Sequence, residues 1–76
     1  MNKPRRKSIQ KLAEKIEELK AEVEALLDEE QESFDNMPEA FQETERGEKA
    51  QEAIDALEEA VGNLEEAIEN LGTAAE

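Results

Sequence analysis

Two stretches of this chain repeat apolar residues at alternating intervals of three and four positions. The first stripe is Ile9, Leu12, Ile16, Leu19, Val23 and Leu26, and the second is Ile54, Leu57, Val61, Leu64, Ile68 and Leu71. This spacing is a heptad repeat with apolar a and d positions, which is typical of coiled-coil helices. Ile9 and Ile54 are a positions in the lettering used below. The pattern predicts two long amphipathic helices.

The two stripes pair in register if the chain folds back on itself. The numbers of facing residues then sum to 80, from Ile9 with Leu71 to Leu26 with Ile54. Each pair matches an a position with a d position, as antiparallel coiled coils require. The sequence therefore predicts an all-α fold, an antiparallel helical hairpin formed by a two-helix coiled coil.

The break between the predicted helices surrounds Pro38, because proline cannot continue a helix and disfavours helix at the residue before it. We expect a single hairpin over residues 1–76, with the first helix at about 4–34 and the second at about 44–71. A loop with a short helical turn occupies about 35–43, and residues 72–76 form a frayed tail. Asn2, Pro4 and Ser8 are alternative starts of the first helix, Thr44 is the expected cap of the second, and Gly72 its expected stop.

A hairpin of this size has one seam and little interior. Ordering each residue costs about 1.5 kcal/mol, which brings the net stability of so small a chain close to zero, and the chain has no cysteine for a disulfide. We therefore expect a homodimer that forms a four-helix bundle. The predicted dimer contacts are the small g-position residues Ala53, Ala60 and Ala67; in the alternative interpretation these alanines only favour helix formation.

Charge is distributed unevenly along the chain. The net charge is −13, but the first 20 residues carry +4 and the remainder −17. The excess of carboxylates repels phosphates and disfavours direct nucleic-acid binding. A hairpin would gather most of the carboxylates at its loop end. The basic run from Lys3 to Lys7 is either a nucleic-acid-binding arm or an offset to the acidic end of the second helix, and we expect Lys20 to face Glu58 across the seam.

The residues needed for most catalytic sites are missing. The chain contains no His and no Cys, which excludes Ser-His-Asp and Cys-His nucleophiles, structural zinc and Glu-x-x-His di-iron sites. The acidic loop lacks the residue order of an EF-hand. We predict no enzymatic activity, no metal and no cofactor. The sequence pattern of a signal peptide or a membrane span is also missing, and we expect a cytoplasmic protein without membrane contact.

The predicted loop concentrates the less common side chains of the chain. Both phenylalanines and the internal methionine lie between Phe34 and Phe41. These side chains either plug the open end of the bundle or anchor a partner, since aromatic residues often dominate binding interfaces. The partner-binding candidates are Glu29, Glu32, Phe34, Asp35, Met37, Glu39, Phe41, Glu45 and Glu48.

The string from Phe34 to Glu39, together with that from Gln42 to Glu48, resembles a segment of short acidic proteins of bacteria and their phages. The resemblance covers the loop and both flanking helix ends. It implies a two-helix coiled coil and no activity.

These observations favour a non-catalytic interaction protein whose acidic loop end binds a basic protein surface. The most specific version of this hypothesis is an inhibitor from a phage or a mobile element that mimics the charge of nucleic acid. The alternatives are a self-assembling structural coiled-coil module, and a nucleic-acid binder that uses the basic N-terminal arm.

Overall fold

The fold consists of two long helices joined by a short one. The computed structural model describes residues 2–76, with α1 at Lys3–Asp35, α2 at Glu39–Gln42 and α3 at Glu45–Ala74. The rod that they form measures 58 × 14 × 12 Å between its Cα atoms. Because α1 alone is about 50 Å long at 1.5 Å per residue, the two long helices lie side by side. The all-α class is confirmed, and α1 packs against α3.

Helix α1 begins where its first polar cap is available. The Asn2 Oδ1 atom accepts a hydrogen bond from the backbone N–H of Arg5 at 2.8 Å, and Pro4 lies in the first turn. Among the alternative starts, Asn2 is therefore the cap. The basic run from Lys3 to Lys7 belongs to α1 and does not form an extended arm.

The start and end of α3 differ from the predictions. Thr44 occupies the N-cap position, but its hydroxyl donates to the carbonyl of Phe41 and does not cap the first turn. The backbone N–H of Thr44 donates to the same carbonyl at 3.1 Å. At the other end, helix continues through Gly72 to Ala74, so the prediction of a frayed tail is wrong for these residues. Gly72 lacks the positive φ that a glycine adopts when it ends a helix. Ala75, just after the helix, is buried.

The face that α1 turns toward α3 also differs from the prediction. The d-position leucines Leu12, Leu19 and Leu26 remain 50%, 53% and 55% exposed, whereas the e-position residues of α1 are partly buried beside the a positions. Those e-position residues are Arg6, Ala13, Lys20, Leu27 and Phe34. Several of them are apolar, so the apolar stripe of α1 spans three heptad positions. One neighbouring helix covers only part of so wide a stripe.

Helix α3 contributes its a, d and g positions to the contact, and Ile54 is its most deeply buried side chain at 1% exposure. Lys20 forms its ion pair with Glu65, with an Nζ–Oε1 distance of 3.2 Å, and not with the predicted Glu58. Helical side chains lean toward the N-terminus of their own helix. Lys20 therefore reaches toward the start of α1, beside which the later part of α3 lies. This contact is consistent with a helical hairpin.

Candidate functional site

The loop end, which we define as residues 28–55, is held together by the side chain of Gln42. Its Nε2 atom donates to the carbonyl of Phe34 at 3.1 Å and to that of Met37 at 3.0 Å. The Phe34 carbonyl also accepts from the backbone N–H of Met37 at 3.1 Å, and Met37 lies beyond the end of α1. Gln42 thus ties α2 to α1. The sequence analysis missed this role because neither accepting carbonyl belongs to a recognisable local motif.

Gly47 allows α2 to rest directly on the first turn of α3. The residue is buried, and a Cβ atom built on it would overlap with the backbone carbonyl of Gln42. No other residue type fits without moving one of these two backbones. The close approach fixes α2, and with it the position of Phe41.

The apolar side chains of the loop divide between two roles. Phe34 and Met37 are partly buried, as the plug hypothesis expects, but Phe41 is 55% exposed. Phe41 lines a cleft of about 390 Å³ at the loop end. The cleft is completed by Ser33, Asn36, Met37, Pro38 and Arg46. An apolar side chain is therefore available to a partner.

The lining of the cleft includes one cation, Arg46, and no carboxylate, and the acidic candidates lie elsewhere on the loop end. All six acidic candidates are exposed: Glu29, Glu32, Asp35, Glu39, Glu45 and Glu48. Glu45 pairs with Lys49 at 3.6 Å, and Asp35 accepts a hydrogen bond from Gln31 at 3.0 Å. Within residues 2–76, the other four lie farther than 4.0 Å from any cationic nitrogen. The loop end holds eleven acidic and two basic residues, a net charge of −9.

The predicted dimer contacts lie outside the loop end for the most part. Ala53, Ala60 and Ala67 are partly buried along the seam of α3. The structure therefore separates two candidate surfaces, one at the loop end and one along the side of the rod.

Residues 2–76 lack two other features, a metal-binding cluster and a membrane-spanning helix. No group of three or more His, Cys, Asp or Glu side chains is placed to hold a metal ion. No helix in that range combines the length and the apolar character needed to cross a bilayer.

The Gln42→Glu substitution tests the loop anchor. A carboxylate has almost the same shape as the amide but offers no proton to the two carbonyls, and it places negative charge against them. We expect the free energy of unfolding to fall by about 1–3 kcal/mol, measured by urea denaturation followed by circular dichroism. The control is Gln10→Glu, the same change at an exposed position of α1. An equal effect of both substitutions would contradict the anchoring role.

Comparison with models of protein families, with well-described proteins and with solved structures finds no match to this chain.

Proposed function

We propose that this chain is a non-catalytic acidic interaction protein that binds a basic protein surface through its loop end. The exposed Phe41, which lines a cleft on a loop end with a net charge of −9, is the observation that carries the proposal. Aromatic side chains that become buried at the centre of an interface, inside a polar rim, often dominate its binding energy.

The cost of the charge arrangement supports the same proposal. Carboxylates clustered at one end repel one another and destabilise the folded chain. Within residues 2–76, only Glu45 of the loop end forms an ion pair. A basic partner would relieve this repulsion and would be attracted over a distance. The concrete version is an inhibitor, from a phage or a mobile element, that occupies a cleft built for nucleic-acid phosphates.

A second candidate function is self-assembly into a dimeric four-helix bundle. The half-exposed leucines Leu12, Leu19 and Leu26 favour it, because large apolar side chains at regular spacing mark a contact with another helix. This surface lies on the long side of the rod, so the two functions are compatible in one protein.

The loop-end proposal is tested by affinity capture from a nuclease-treated bacterial lysate with three tagged chains. These are the wild type, a loop-end variant with Glu29, Glu32, Glu45 and Glu48 changed to Gln, and a matched control with Glu58, Glu59, Glu66 and Glu69 changed to Gln. All eight positions are exposed. Both variants lose the same charge, at opposite parts of the rod.

We expect the wild type and the matched control to capture the same basic protein, and the loop-end variant to lose it by about tenfold or more, equivalent to about 1.4 kcal/mol. Phe41→Ser should weaken capture without changing the charge. Equal capture by all chains, capture of no protein, or capture that depends on intact nucleic acid would overturn the proposal.

A further inference from the structure

The exposed leucines of α1 lie on one definite side of the rod. In an antiparallel helix pair, the e positions of both helices line one side of the seam and the g positions line the other. Lys20 and Glu65 are both e positions, so their ion pair marks the e side. On α1 the d positions lie next to the g positions. Leu12, Leu19 and Leu26 therefore share the g side with Ala53, Ala60 and Ala67 of α3, and we name these six residues the leucine face.

Helix α3 keeps carboxylates away from the leucine face. Its nine acidic residues all occupy b, e and f positions. Its c and g positions hold only alanine, asparagine and two cations: Arg46, Lys49, Ala53, Ala56, Ala60, Asn63, Ala67, Asn70 and Ala74. In a chain of net charge −13, such a carboxylate-free track is what contact with another helix requires, since charge is depleted from the centres of interfaces.

The exposed area agrees with a missing partner. A compact folded monomer of 8.5 kDa exposes about 4,700 Å², whereas this chain exposes 5839 Å². The excess of about 1,100 Å² follows in part from the 58 Å length of the rod, and it is larger than the about 800 Å² that each partner buries in a standard interface.

The pattern of the leucine face is compatible with a second copy as this partner. Leu12 and Leu26 are equally distant in sequence from Leu19, as Ala53 and Ala67 are from Ala60. Because facing residues sum to about 80, Leu19 and Ala60 lie at nearly the same height of the rod. A two-fold axis perpendicular to the rod at that height places each stripe against the same stripe of the second copy. The two stripes then run antiparallel.

The charges beside the leucines match the same two-fold axis. Lys15 and Glu22, both g positions, flank Leu19 on either side. Reversal about Leu19 places Lys15 of each copy beside Glu22 of the other. It also places the basic start of each α1 beside the acidic loop end of the partner. A two-fold axis along the rod would instead bring the two acidic loop ends together.

We propose that the protein is an isologous dimer in which α1 packs antiparallel on α1 of a second copy through Leu12, Leu19 and Leu26, with the two-fold axis at Leu19 and Ala60. This inference deepens the second candidate function and rests on it. It uses the side of the rod and not the cleft at Phe41, and each loop end then lies beside the basic start of α1 of the second copy.

Cysteine cross-linking tests the position of the axis, because the chain has no cysteine of its own. A residue on the axis faces its own copy, so we expect Leu19→Cys to form a covalent dimer rapidly under mild oxidation. Leu12→Cys and Leu26→Cys should cross-link when mixed with each other and poorly when alone. The control is Glu24→Cys, an exposed b position on another side of α1.

Two results would overturn this geometry. One is cross-linking of Leu19→Cys that is no faster than that of Glu24→Cys. The other is efficient cross-linking of Leu19→Cys with Ala60→Cys in a mixture, which indicates that the leucines lie over the alanines of the partner, with the two-fold axis along the rod.

Charge reversal tests the dimer without changing its apolar contacts. By sedimentation equilibrium we expect a wild-type dimer, a dissociation constant raised about tenfold by Lys15→Glu, and recovery in the double variant Lys15→Glu/Glu22→Lys. Lys7→Glu makes the same charge change at an f position and should have the smaller effect. A wild-type chain that sediments as a monomer up to about 1 mM, or a double variant that is weaker than Lys15→Glu, would overturn the proposal. Neither result would affect the lysate experiment on the loop end.

Discussion

The Gly47→Ala substitution is expected to separate α2 from α3 and to lower the free energy of unfolding by about 1–3 kcal/mol. The added methyl group would overlap with the backbone carbonyl of Gln42, and a backbone yields less readily than a flexible side chain. Movement of Gln42 also breaks its hydrogen bonds to Phe34 and Met37. Urea denaturation measures the loss, and hydrogen exchange should show faster exchange of the backbone amides of residues 36–44.

Gly62→Ala is the matched control for this prediction. Gly62 is also helical, but a Cβ atom built there meets nothing within 4 Å. Alanine favours a helix interior over glycine by about 1 kcal/mol, so this variant should be more stable than the wild type. If both substitutions raised the stability, helix propensity would determine the effect at both sites. The close contact at Gly47 would then not contribute to stability.

The Ile54→Ala substitution is expected to have the largest effect on stability. Ile54 is the one side chain within residues 2–76 that is fully buried, at 1% exposure. Removing a buried isoleucine side chain costs about 2–5 kcal/mol, which is comparable to the whole stability expected of so small a core. We expect this variant to be largely unfolded at 25 °C, with loss of the helical circular dichroism signal.

Two further substitutions test whether the loss of stability follows the buried volume that is removed. Ile54→Val removes one methylene and should cost about 0.5–1.5 kcal/mol. Phe41→Ala removes a larger side chain that is already 55% exposed, and it should leave the stability nearly unchanged. All variants are compared at one protein concentration, because the proposed dimerisation would make the apparent stability depend on concentration. Equal losses for Ile54→Ala and Phe41→Ala would show that burial in the single chain does not determine stability.

The two candidate surfaces place different demands on the molecule. Under the proposed function the loop end needs Phe41 held in place, and the backbone contact at Gly47 and the side-chain hydrogen bonds of Gln42 serve this purpose. The leucine face needs only the regular repeat of two straight helices. Substitutions at Gly47 should therefore impair partner capture more than dimerisation, while Leu19 substitutions should do the reverse.

The amino-acid sequence by itself determined the helical class, the break at Pro38 and the heptad positions. These features depend on residues within about four positions of one another, through backbone hydrogen bonds and the helical period. The cap at Asn2 belongs to the same group, although the sequence left it as one of three alternatives.

Only the tertiary structure decided which apolar positions of α1 face α3 and where the loop side chains point. A stripe three positions wide can turn either edge toward its neighbour, and the choice depends on how both helices pack together. The exposure of Phe41, in contrast to the partly buried Phe34 and Met37, and the contact of Gly47 with Gln42 likewise depend on how α2 packs. Packing between elements has no local signature, and for that reason the sequence predicted the leucines in the seam while the structure leaves them half exposed.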